Sequence, residues 1–194
     1  MITQYHKIET LYERDEKTFK VRPGVFKNRT YTLLKEWWWT EKIDGTNIRC
    51  IWNPASASTD AESLEQREPK LTFGGKTDNA QIHADLVKWL YGNVSAAKMS
   101  ECFPDVPVVI YGEGYGAGIQ KGGGNYSPVK KFIVFDVLVA EKWWLNWENT
   151  CDVAAKLGLD VVPFLGVMTL EQATEMVRVG FPSALGSATP AEGV

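Results

Sequence analysis

Ile48, Cys50 and Trp52 alternate with Asn47, Arg49 and Ile51, the period of two expected of a half-buried strand. Ahead of this stretch runs Leu33-Leu34-Lys35-Glu36-Trp37-Trp38-Trp39, whose indoles fall on both faces of any strand they form, so burial on both sides is expected. Between the two stands Asp44-Gly45, the commonest pair for a tight hairpin turn. The pattern therefore predicts strand, turn, strand, with Lys42 at a sheet rim.

The rest of the chain alternates short strands with helices. Residues 1–32 predict a lead-in strand or two, with a turn at Arg22-Pro23-Gly24. Asn53 to Pro69 reads as a polar, mobile surface loop, Leu71–Phe73 as a short strand, and Gly74–Asp78 as a turn. Asn79 is placed to cap a helix with Ile82, Leu86, Trp89 and Leu90 on one face, closed by Gly92. Val108–Tyr111 predicts a buried strand ending in Gly112-Glu113-Gly114, and Lys131–Val139 is the clearest strand of all. Gly118–Tyr126 lacks bulk at its centre and reads as a loop. Asn149 or Thr150 caps a helix ended by Gly158, Val161–Phe164 returns as a strand in which Pro163 marks an edge or a bulge, and Thr169 with Gln172 forms a capping box opening a helix to Gly180. A small-residue loop from Phe181 to Pro190 leads to Ala191–Val194, read as the start of a strand.

Composition narrows the setting. At 194 residues, with 44% hydrophobic and 12% aromatic content, the chain suits one well-packed domain or two small ones. Most of its eight tryptophans are expected in the core. No apolar run is long enough for a membrane helix and no signal-peptide core opens the chain, so a soluble, cytoplasmic protein is expected. Three widely separated cysteines suggest neither a disulfide framework nor a zinc site. A net charge of -3 argues against coating nucleic acid by bulk charge, although a local basic groove remains open. With only His6 and His83 present, and His83 off the apolar stripe of its helix, histidine-based catalysis is not indicated.

Candidate chemistry lies in three places. A lysine near its ordinary pKa is an ammonium without a lone pair, so Lys42 becomes a nucleophile only where burial or neighbouring cations favour the amine; otherwise it is a solvated surface lysine. Glu113, flanked by glycines that let a ligand approach the backbone, suits a ribose hydroxyl or a metal, or simply an exposed turn. The free amides of Gly118–Tyr126, with Lys121, suit phosphate or a flexible lid. Phe135, taken alone, reads as a core residue.

Lys42-Ile43-Asp44-Gly45-Thr46-Asn47 resembles motif I of the covalent nucleotidyltransferases, the superfamily of ATP-dependent ligases and mRNA capping enzymes. Further resemblances follow in the family's order. Phe73-x-x-Lys76-Thr77 is similar to a phosphate-contacting segment that usually carries arginine, so here the charge stays and the bidentate fork is lost. Tyr111-Gly112-Glu113 resembles motif III, Gly118-Ile119-Gln120 a segment frequent in RNA ligases, Phe135-Asp136 motif IIIa, and Glu192-Gly193-Val194 the opening of motif IV.

The chain, from about Glu36 onward, is thus similar to the RNA-ligase-2-type ATP-dependent polynucleotide ligases. The resemblance implies an α+β, ATP-grasp-like nucleotidyltransferase domain, with antiparallel sheets around a nucleotide pocket and helices outside. It implies Lys42 as the nucleophile that takes AMP from ATP. Glu41 and Ile43 would line the base pocket, Phe135 would stack on adenine, and Glu113 would bind the ribose. Asn47 and Lys76 would meet phosphates, and Glu192 would hold Mg2+ or Mn2+. The implied partners are RNA or DNA strand ends with 5′-phosphate and 3′-hydroxyl groups, and the protein is expected to act as a monomer without a membrane. Motif V, with its two lysines, is not found, so residues 1–194 are expected to be a single adenylyltransferase domain, incomplete at its C-terminal side. Alternatives are a DNA ligase or capping guanylyltransferase of the same superfamily, or a non-catalytic nucleotide- or nucleic-acid-binding module.

Overall fold

The computed structural model describes residues 4–55, 68–186 and 189–194. Its centre is a five-stranded antiparallel sheet in the order β5-β4-β6-β7-β8, comprising β4 (Thr46–Asn53), β5 (Lys70–Gly74), β6 (Val108–Tyr115), β7 (Lys131–Val139) and β8 (Trp143–Trp144). Because strand side chains alternate, each face of this sheet acquires its own cluster. Ile48, Cys50, Trp52, Val108, Ile110, Val134 and Val137 pack with Leu86 and Leu90 of α1 (Ala84–Asn93), Met99 of α2 (Ala96–Cys102), and Val153, Ala154 and Leu157 of α4 (Trp147–Leu157). The opposite face carries Ile51, Val109, Tyr111 and Leu138 in one group, and Ile43, Tyr115, Tyr126, Ile133 and Val162 in another. That second face holds the candidate site.

The sequence-predicted hairpin does not form. β3 (Trp37–Thr40) pairs with β9 (Phe164–Met168) in a separate two-stranded sheet, so Asp44-Gly45 is a crossover between sheets. Glycine is needed there for space: a Cβ at Gly45 would stand 2.3 Å from the Gly114 carbonyl oxygen. The tryptophan run is correspondingly half open, with Trp38 55% exposed. Trp52 alone of the eight tryptophans is fully buried, while Trp143 and Trp144 are exposed, so most indoles lie outside the core.

Several boundaries shift for local reasons. β1 (Tyr12–Arg14) and β2 (Val21–Phe26) realise the lead-in strands, but Pro23-Gly24 lies inside β2 and the turn falls at Asp15–Lys20, where the Asp15 carboxylate accepts the Lys17 and Thr18 N–H groups. His83, not Asn79, caps α1, its Nδ1 accepting the Asp85 N–H, and Val94 rather than Gly92 follows the last turn. Asn146 caps α4, one turn before the expected position. The strand expected at Val161–Phe164 starts only at Phe164, and Val161 makes an isolated bridge to Val134. The capping box of Thr169 and Gln172 opens α5 (Leu170–Val179) as read, ending at Gly180. Gly118–Tyr126 contains a one-turn helix, α3 (Gly123–Tyr126), because Gly123 packs against the Gly116 backbone, where a Cβ would meet an oxygen at 2.2 Å. Of the predicted surface loop before β5, residues 56–67 lie outside the described residues.

Candidate functional site

Lys42 is fixed by its backbone and open at its side chain. Its N–H donates to the Gly193 carbonyl at 3.0 Å, which joins Ala191–Val194 to the site as a bridge rather than a new strand. Ile43, next along, is 3% exposed and packs with Ile133, Tyr115 and Tyr126. The Lys42 side chain is 58% exposed, and its Nζ lies 2.5 Å from Glu192 Oε2.

Glu41 is a buried carboxylate in the same wall. Its Oε2 accepts the Ala184 N–H at 2.9 Å and its own N–H donates to the Pro163 carbonyl at 2.9 Å. Oε1 is buried and has no hydrogen-bond partner among the described residues. A buried carboxylate oxygen of this kind is an acceptor awaiting a donor.

The crossover behind Lys42 is clamped from the segment after β6. Gln120 Nε2 donates to the Gly45 carbonyl at 2.8 Å, and Tyr126, whose phenol pKa burial raises, packs with Ile43. The sequence suits this segment to phosphate or to a lid. Its observed contacts make it a brace for the turn that carries Lys42.

Glu113 sits within β6, which continues through Tyr115, rather than at a strand end. It stands opposite Asn47 of β4, whose Oδ1 is also buried without a partner among the described residues. Burial pushes the Glu113 carboxyl up to about 7. The Lys42 ammonium pulls it down, the Glu192 and Asp44 carboxylates push it further up, and Lys76 pulls it down more weakly. Lys42, Asp44, Lys76 and Glu192 therefore all act electrostatically on one carboxyl.

Phe135 owes its position to a β-bulge. The β6–β7 register steps from Tyr111 opposite Asp136 to Gly112 opposite Val134, leaving Phe135 as the extra residue. Bulges re-aim side chains, and Phe135 comes to lie half-buried between the Ile43–Ile133 group and the Tyr111–Leu138 group. Tyr5 packs edge-on against it at 5.0 Å, and the Tyr5 hydroxyl donates to Asp136 Oδ2 at 2.6 Å. Burial and this bond hold the Tyr5 phenol far above its ordinary pKa, and burial also raises Asp136.

Lys76 is exposed on the turn after β5, and Lys121 is exposed in the segment before α3. Among the described residues no three His, Cys, Asp or Glu side chains form a ready metal cage. The structure thus brings Glu41, Lys42, Ile43, Asn47, Glu113, Phe135 and Glu192 to one face of the sheet, with Lys76 acting on Glu113 from its edge. Sequence reasoning missed Arg49, Gln120, Tyr126 and Tyr5 as structural partners. Gln120 and Tyr126 carried a signal, their place in the Gly118–Tyr126 segment.

A family model described as RNA ligase matches residues 35–194. No curated protein sequence gives a significant match. Among solved structures, the fold is similar to Naegleria gruberi RNA ligase. A mutant with ATP and Mn is 19% identical with a TM-score of 0.61, over 82% of this chain and 44% of that one. The form with PPi is 21% identical with a TM-score of 0.58, over 82% and 45%. Another mutant, with AMP and Mn, is 18% identical with a TM-score of 0.61, again over 82% and 45%. The chain therefore spans less than half the length of these structures, and at such identity the likeness establishes the shared α+β fold.

Proposed function

The chain belongs to the RNA ligase family, and on that premise we propose that it carries the adenylyl-transfer site of an ATP-dependent RNA ligase. The observation that carries this reading is the convergence of Lys42, Glu192 and Glu113 on one sheet face, beside a buried acceptor on Glu41 and the aromatic ring of Phe135.

In this reading the Lys42 ammonium first gives up a proton to solvent, and the free amine attacks. Its Nζ bonds to the α-phosphorus of ATP, the bond from that phosphorus to the bridging oxygen breaks, and pyrophosphate leaves with the electron pair. The second proton shed by Nζ passes to solvent or to a neighbouring carboxylate, Glu192 being already at hydrogen-bond distance. The lysyl-bound AMP then moves to the 5′-phosphate of an RNA end, and a 3′-hydroxyl displaces it as the strand is sealed. Phe135 stacks on the adenine, and Glu41 Oε1 supplies the acceptor that its exocyclic amine requires. Glu113 accepts from a ribose hydroxyl, and Asn47 and Lys76 face phosphate.

The carboxylate oxygens of Glu192 are of the hard type that suits Mg2+ or Mn2+, and a cation there would neutralise charge on the phosphates during transfer. In the Naegleria gruberi structures the bound partners are ATP, AMP and Mn; ATP and Mg2+ or Mn2+ are the cofactors proposed here. Strand ends of RNA are the proposed substrate, the protein acting as a monomer.

Intact mass before and after incubation with ATP and Mn2+, beside Lys42→Ala, tests the reading. An added AMP in the wild type and none in the variant is expected. An adduct that persists in Lys42→Ala would remove the nucleophile assignment.

A further inference from the structure

Arg49 is 1% exposed in the middle of β4, two residues beyond Asn47. Its Nε donates to the Gly75 carbonyl at 2.8 Å and its Nη2 to Asp78 Oδ1 at 2.8 Å. One guanidinium therefore grips the turn after β5 at both ends, with Lys76 and Thr77 between. Gly74 lies over the guanidinium, where a Cβ would stand 3.1 Å from Nη2. An apolar side chain in this strand position would avoid the desolvation that a buried arginine entails, so the grip calls for a role beyond packing.

Resting on the adenylyl-transfer reading, we propose that Arg49 is a positioning residue, which ties the Gly75–Asp78 turn to β4 so that Lys76 is presented to nucleotide phosphate. A lysine offers a single charge on a flexible stem and lacks the planar fork that would aim an arginine. The aim must then come from the backbone that carries it. Arg49 supplies it by holding that backbone from the strand that also bears Asn47. Lys76 already acts on the Glu113 carboxyl, which places its charge within reach of the site.

The test is a double-mutant cycle on nucleotide affinity, using an ATP analogue with a non-cleavable α,β-bridge and Mn2+. The Asp78 side chain is 62% exposed, so Asp78→Ala breaks the outer half of the grip without opening the core. Asp78→Ala and Lys76→Ala are each expected to weaken binding by about tenfold, and the double variant by no more than either alone. Arg49→Lys, which keeps the charge but cannot span both ends of the turn, should behave like Asp78→Ala. Unchanged affinity in Asp78→Ala, or losses that multiply in the double variant, would overturn the proposal, as would a lowered melting temperature with affinity intact. A wild type that binds no analogue would overturn the nucleotide-site reading itself, and this proposal with it.

Discussion

Lys42 Nζ and Glu192 Oε2 face each other at 2.5 Å, so the proposed nucleophile and the proposed cation ligand form one ion pair. The pairing follows from the Lys42–Gly193 backbone bridge, which sets the residue before Gly193 beside the lysine. With side chains 58% and 36% exposed, such a pair contributes at most about 1 kcal/mol. Glu192→Gln should therefore melt close to wild type while slowing AMP attachment by about tenfold or more, with a raised Mn2+ requirement. Attachment rates measured across a Mn2+ titration check this, and a wild-type rate at every concentration would remove Glu192 from cation binding.

Glu113 makes stability and activity depend oppositely on pH. Its carboxyl is raised from an ordinary 4.5 to about 7, mainly by burial, so the protonated form favours folding. That contribution is complete below about 4.5 and is lost as pH rises through about 7, to a maximum of roughly 3 kcal/mol. Binding a ribose hydroxyl needs the carboxylate, so AMP attachment should rise as pH passes through about 7. Glu113→Gln should flatten the stability slope in urea unfolding and remove the rise in attachment. A variant that keeps both slopes would show that another group titrates there.

Phe135 lies between two buried clusters, so its removal costs both packing and stacking. Phe135→Ala should weaken nucleotide binding by the roughly 1–3 kcal/mol of one stacked base, whereas Phe135→Leu should restore most stability but little affinity. Equilibrium binding beside thermal melting separates the two. If affinity returned along with stability in Phe135→Leu, the ring would be acting as core alone.

What was legible in the sequence was local. The alternation of Ile48, Cys50 and Trp52 marked β4 and its buried face, and Thr169 with Gln172 marked the start of α5, because both patterns are set within a few residues. The family motifs brought Lys42, Glu113, Phe135 and Glu192 together as a list, and the fold places them on one sheet face. Partner choice between distant segments was not legible. Asp44-Gly45 carries a hairpin signal, but β3 finds β9 instead, a pairing decided by tertiary packing. The bulge at Phe135 depends on the register of β6 against β7, and Arg49 looked like one more polar position in an alternating strand. Tyr5 lies ahead of every motif, yet it reaches Asp136 through space.

Gly45 gives the sharpest test of the crossover. Its φ is not in the left-handed region, so a substitution there is opposed by space alone. An alanine Cβ would stand 2.3 Å from the Gly114 oxygen and 2.8 Å from Glu113 Cγ, and the first of these is backbone that cannot rotate away. The turn must then lift from β6, straining the Gln120 bond to the Gly45 carbonyl and moving Lys42 relative to Glu113. Overpacking of this kind costs about 1–3 kcal/mol. Gly45→Ala should lower the melting temperature and slow AMP attachment further than the unfolded fraction explains. Gly92→Ala is the control: it lies near the end of α1 with nothing within 4 Å of its Cβ, and should stabilise by roughly 0.5–1 kcal/mol without touching the rate. Equal attachment rates in the two variants would mean that the crossover does not position the lysine.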